Sequence, residues 1–122
     1  MKKNLFIVLL LSLSLLLTAC TSNSDTQHEF TVGIVQLAEH PALDAAREGF
    51  IDGLKELNIA VQIVYQNAQG DLPTSLSIAQ KFANDKVDLI YAIATPAAQS
   101  AKQATKDIPI LFSAVTDPVY SE

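Results

Sequence analysis

Apolar residues are spaced in two ways along most of this chain. Four short runs, FTVGIVQL at 30–37, VQIVY at 61–65, VDLIYAIA at 87–94 and IPILFSA at 108–114, are compact and rich in β-branched residues. Such runs predict strands buried on both faces, which must offer apolar side chains to either side. Between them the spacing changes to steps of three and four. Leu43, Ala46, Phe50, Leu54 and Leu57 form one stripe and Leu76, Ala79, Phe82 and Ala83 a second, each the mark of an amphipathic helix. A third, shorter helix is predicted from Thr95 to about Lys106. Strand alternating with helix is the pattern of a parallel sheet covered on both faces.

Local signals set the ends of these elements. Pro41, Pro73 and Pro96 suit the first turn of a helix, where a missing N–H costs nothing. Asp71 is placed to cap the second helix and Thr95 the third. Asn58 is a stop for the first, and the second ends near Asn84-Asp85-Lys86. Gly49 and Gly53 stand one turn apart inside the first helix. Glycine weakens a helix, so close approach to the sheet is the expected return. Tyr65, Phe82 and Phe112 are assigned to the core.

Ahead of this region the pattern is different. Lys2 and Lys3 precede an apolar run from Leu5 to Leu17, interrupted only by Ser12 and Ser14. The run is short for a membrane span, which needs about 20 residues, and its length suits the core of a signal peptide. It ends in Leu17-Thr18-Ala19-Cys20, which resembles a bacterial lipobox, and Cys20 is the sole cysteine of the chain. Residues 1–19 are therefore read as a lipoprotein signal peptide and Cys20 as the lipidated residue. No internal disulfide is possible. Residues 21–29, TSNSDTQHE, contain nothing to bury and are expected to form a flexible tether. The globular part is 30–122. Its fourth strand is followed only by a short exit, so the chain is expected to be the first part of a longer design.

Composition narrows the function. Cleavage before Cys20 would leave six basic against thirteen acidic residues, the wrong sign for a nucleic-acid partner. Gly33 is alone within a strand, and neither a dinucleotide fingerprint nor a P-loop is present. There is no nucleophile elbow. Glu39, His40 and Asp44 are too local for a metal site. A response-regulator receiver would need an aspartate where Ala94-Thr95 stands. No enzyme, metal or cofactor is implied.

Ligands of open parallel sheets bind outside the carboxyl ends of the strands, at the point where the winding reverses. That rule names Gln36, Glu39 and His40 after the first strand, Asn67 after the second and Thr95 after the third. Ser113, Thr116 and Asp117 follow the fourth. Thr95 stands where a helix begins, with the N–H groups of Ala97 and Ala98 beside it. Such a terminus attracts an anion. Its hydroxyl caps the helix, meets a ligand, or does both. Asp117 either holds an ammonium group or serves an Asp-Pro turn. Glu39 and His40 either line the rim or belong to a solvated loop.

In order along the chain, VGIVQLAEHPALDAAREGF at 32–50, QNAQGD at 66–71, IAQKFANDKVDLIYAIATPAAQ at 78–99 and PILFSAVTDPV at 109–119 resemble the tryptophan/tyrosine-type substrate-binding lipoproteins of ABC importers. The resemblance implies an α/β fold, a three-layer sandwich with a parallel doubly wound sheet. This would be the Rossmann-like lobe of a type I periplasmic binding protein, here incomplete. It further implies a small-molecule solute, most simply an aromatic amino acid, and an ABC permease as partner. The protein would then sit outside the cytoplasm, held to the membrane by lipid on Cys20. A sugar-binding or sensory receptor of the same fold is the alternative, and a lipoprotein that binds only other proteins a third reading.

Overall fold

The computed structural model describes residues 29–117. The expected signal peptide, Cys20 and residues 21–28 of the expected tether lie outside the described residues. Four strands and three helices alternate: β1 Thr31–Gln36, α1 Pro41–Glu56, β2 Gln62–Asn67, α2 Leu72–Asn84, β3 Leu89–Ile93, α3 Thr95–Ala104 and β4 Ile110–Ser113. The strands form one parallel sheet in the order β2-β1-β3-β4.

Residue parity on the strands sorts the core into two layers. Val32, Ile34, Tyr91 and Ile93 face one way and pack with Leu43, Ala46, Phe50 and Ile51 of α1. Val35, Ile90 and Ala92 face the other way, against Ile78 and Phe82 of α2 and Ala97 and Ala101 of α3. One helix thus covers one face and two cover the other, which is the expected three-layer arrangement. The chain leaves β1 for β2 along the first face and returns past β1 to β3 along the second. The winding reverses between β1 and β3, where such folds open their crevice.

The helix ends follow from local chemistry. His40 caps α1, its Nδ1 accepting the Ala42 N–H at 3.2 Å. At the other end Asn58 takes a φ of 52°. The Asn58 N–H then reaches Lys55 O at 3.0 Å and the Ile59 N–H reaches Leu54 O at 2.9 Å. This is the Schellman arrangement, which satisfies carbonyls left over at a helix end. Lys86, with φ 55°, closes α2 in the same way, through Lys86 N to Ala83 O and Val87 N to Phe82 O, both 3.2 Å. Asp71 caps α2 as expected, accepting the Thr74 N–H at 2.8 Å. Asp88 holds the entry of the sheet together, its Oδ2 accepting the Thr31 N–H at 2.7 Å.

Several expectations are corrected. Leu57 is 72% exposed and Ile51 takes its place in the α1 stripe, because the helix has ended by then. In α2 the buried residues are Ser75, Ile78, Ala79 and Phe82, so the stripe is turned relative to the one containing Leu76 and Ala83. A Cβ on Gly49 or Gly53 would meet nothing within 4 Å, so neither glycine serves a close approach. Gly33 does: a Cβ there would stand 2.7 Å from the Phe82 ring. Phe82 is fully buried, whereas Tyr65 and Phe112 are 37% and 46% exposed and lie outside the core.

Candidate functional site

Register places polar residues side by side at the carboxyl edge of the sheet. Gln36 pairs with Asn67 on β2 and with Ile93 on β3, and Ile93 pairs with Ser113 on β4. Residues level across a parallel sheet point to the same face, here the face covered by α1. Gln36 is completely buried, so its amide needs partners. Its Nε2 donates to Ala38 O at 2.7 Å and to Asp44 Oδ1 at 2.8 Å, and its Oε1 accepts from Arg47 Nη1 at 2.8 Å. Arg47 Nη1 also reaches Asp44 Oδ1 at 3.1 Å and the Tyr65 hydroxyl at 3.0 Å, while the guanidinium lies 4.6 Å from the centroid of the Tyr65 ring. Asn67 Nδ2 donates to the same hydroxyl at 3.2 Å. One cluster therefore ties the ends of β1 and β2 to the first two turns of α1.

The charges in it are tuned by these contacts. The Gln36 amide holds the Asp44 carboxyl below its ordinary range, against the opposing effect of burial and with help from Arg47. Burial pulls the Arg47 pKa down, but Tyr65 and Asp44 outweigh it and the net shift is upward. Arg47 is further shared with Glu48 at 3.4 Å. The cluster carries no excess of positive charge.

The other half of the edge is built around β3 and β4. Thr95 is not the cap of α3. Ala94 holds that position, with φ 86° and ψ 154°, and no side chain caps the helix. The Thr95 hydroxyl instead accepts the Thr116 N–H at 3.2 Å, which pins the exit of β4 to the start of α3. The Ala98 N–H is also engaged, with Ala94 O at 3.1 Å, and so is not on offer to a ligand. Pro96 has no N–H, which leaves Thr95 and Ala97 as the amides of this turn without an intrahelical acceptor. Ser113 Oγ lies 2.7 Å from the Tyr91 hydroxyl, which also donates to Ala46 O at 3.3 Å. Thr116 and Asp117 are exposed at the end of the same segment.

The sequence-derived residues are thus brought to one edge, with unequal duties. Gln36, Asn67, Thr95, Ala97, Ser113 and Thr116 converge there. Glu39 and His40 are exposed on the loop before α1, where His40 is engaged as its cap. Arg47, Asp44, Tyr65 and Tyr91 were not identified from sequence as part of the site. A faint signal existed for the first pair, spaced three apart on a helix that begins just past the end of β1. On the opposite face a shallow, mostly apolar groove of about 390 Å³ runs between Leu72, Leu76 and Pro96. Its α3 side carries the polar side chains of Gln99, Ser100 and Gln103. Among the described residues no group of three or more His, Cys, Asp and Glu is placed to hold a metal.

Hydrogen-bonding groups are thus gathered where the winding of a doubly wound parallel sheet reverses, the place at which open α/β folds bind ligands. The chain belongs to the ABC transporter substrate binding protein family, whose model matches residues 31–122. It is 49% identical over 119 residues to a tyrosine-binding protein of Clostridioides difficile strain R20291, covering 85% of this chain and 34% of that one. Among solved structures it resembles the ligand-free, open form of a substrate binding protein with adhesive properties from Clostridium difficile. There the identity is 57% and the TM-score 0.73, over 75% of this chain and 32% of that one. It also resembles an ABC domain from Streptococcus pneumonia in complex with L-Trp, at 35% identity and TM-score 0.73, over 76% of this chain and 32% of that one. The chain spans about a third of the length of these relatives.

Proposed function

We propose that this chain supplies the first lobe of a solute receptor for an ABC importer, which captures an amino acid outside the cytoplasm and delivers it to a membrane permease without chemical change. The family supports the receptor role, and the tyrosine and tryptophan named for two relatives support an aromatic amino acid. The observation that carries the reading is the alignment of Asn67 and Ser113 across the carboxyl edge, braced between them by the buried Gln36 and next to the opening turn of α3. The positive end of that helix and its unpaired amides at Thr95 and Ala97 favour the solute carboxylate. Asp117 is the group for its ammonium, and Ser113 and Thr116 add hydroxyl contacts. Glu39 and His40 line the rim.

Lipid on Cys20 would hold the receptor at the membrane surface. Among the described residues no helix is long and apolar enough to cross a membrane. Lipid chains add about 0.8 kcal/mol per buried methylene, so Cys20→Ser should move the protein to the soluble fraction. A mature N-terminus elsewhere would count against the anchor.

A thermal-shift screen of the full-length protein against amino acids, sugars and nucleosides tests the receptor reading, followed by calorimetry on Thr95→Ala. That variant loses both its hydroxyl and the tether to Thr116, and should bind the amino acid roughly tenfold more weakly. A neutral sugar as the ligand, or unchanged affinity in Thr95→Ala, would sink this assignment.

A further inference from the structure

We infer that the Tyr65 hydroxyl gives a hydrogen bond to an oxygen at the side-chain end of the bound amino acid, and so sorts solutes by whether they carry one. The inference rests on the amino-acid reading above. The Tyr65 oxygen lies 3.0 Å from Arg47 Nη1 and 3.2 Å from Asn67 Nδ2. Guanidinium can only donate. The orientation of the Asn67 amide is set independently, because its Oδ1 accepts the Gln69 N–H at 2.7 Å and turns Nδ2 toward the phenol. Both neighbours therefore give a proton to Tyr65. A phenol has two lone pairs and one O–H, so the lone pairs are used and only the proton remains to be given. Among the described residues no acceptor takes it.

The surroundings make that proton available to a ligand. Tyr65 is 37% exposed, so its hydroxyl is not sealed in the core. Arg47 covers one face of the ring and holds it in place before any solute arrives. Asn67 lies two residues further along β2, level with Gln36 at the carboxyl edge. β1 lies between β2 and β3, so the Tyr65 strand and the strand that leads into α3 are two spacings apart across the sheet, about 10 Å, and Tyr65 is level with Tyr91, before the start of α3 along the strands. A solute with its carboxylate at α3 reaches toward β2 only with the far end of its side chain. A phenol oxygen in that place accepts from Tyr65, and a bare ring leaves the Tyr65 proton without a partner.

Calorimetry with L-tyrosine and L-phenylalanine, on the full-length protein and on Tyr65→Phe, tests this. The parent should prefer L-tyrosine by about tenfold, the value of one such hydrogen bond. Tyr65→Phe should lose that preference by weakening L-tyrosine alone. Unchanged L-phenylalanine binding shows that the variant is folded. The inference is overturned if the parent shows no preference, if the preference survives in the variant, or if both amino acids weaken alike, which is the mark of a structural role. A parent that binds neither amino acid removes the amino-acid reading itself, and this inference with it.

Discussion

A Cβ on Gly33 would stand 2.7 Å from Cδ2 and 2.8 Å from Cγ of Phe82, and neither is the free end of a flexible chain. Phe82 is fully buried in the cluster between the sheet and α2, so its ring has nowhere to withdraw. Gly33→Ala should therefore destabilise the protein by about 1–3 kcal/mol, the usual cost of overpacking. Denaturant titration reads this, and a double variant with Phe82→Leu should lose less than the two single changes together. Gly49 has the opposite sign. It sits in a helix with open space around its Cβ position, and Gly49→Ala should stabilise by about 0.5–1 kcal/mol through helix propensity alone. The sequence shows glycine in both places, but only a contact distant in the chain tells them apart.

Among elements, α2 carries a built-in acid sensitivity. The Thr74 hydroxyl and backbone N–H both bond the Asp71 carboxylate and hold its pKa below the ordinary range. A depressed folded-state pKa contributes stability above the unfolded value near 4, and that contribution is lost as the pH falls through the folded value. Asparagine caps a helix about as well as aspartate but does not titrate. Asp71→Asn should leave the neutral-pH melting temperature nearly unchanged and flatten its decline in acid; an unaltered decline would place the sensitivity elsewhere. This cap was legible in advance, as were the order and type of all seven elements, because each rests on spacing within one segment. The first turn of α3 was not. Thr95 is a good cap by type, yet Ala94 took a positive φ, and the hydroxyl one residue on found Thr116 instead. The cluster of Gln36, Asp44, Arg47 and Tyr65 was hidden for a similar reason, since β2 and α1 meet there only after the sheet has paired.

For the whole molecule, the described sheet ends at β4 with apolar side chains uncovered on both faces. Leu111 and Phe112 point to opposite sides of the sheet and are 43% and 46% exposed, and β4 ends the strand order among the described residues. Uncovered apolar side chains on a terminal strand invite pairing with other chains. Residues 21–122 by themselves should bind a hydrophobic dye and self-associate in sedimentation. Phe112→Lys should reduce both, by placing a charge on the strand. A monodisperse, dye-silent sample of the parent chain would contradict this.

Ala94 bears on the timing of recognition. Its φ of 86° and ψ of 154° belong to a region that costs a residue with a side chain about 1–3 kcal/mol. The conformation is held from both sides, by Ala94 N to Ser113 O at 3.0 Å and by Ala98 N to Ala94 O at 3.1 Å. If the proposed site holds the solute there, the amides of Thr95 and Ala97 would be fixed in place before it arrives, with little freedom left to lose on binding. Ala94→Gly would relieve that cost, against an unfolded-state penalty of only about 0.4–1 kcal/mol. The variant should melt higher and yet bind the proposed amino acid with a less favourable entropy. Stability and readiness to bind would then move in opposite directions at a single methyl group.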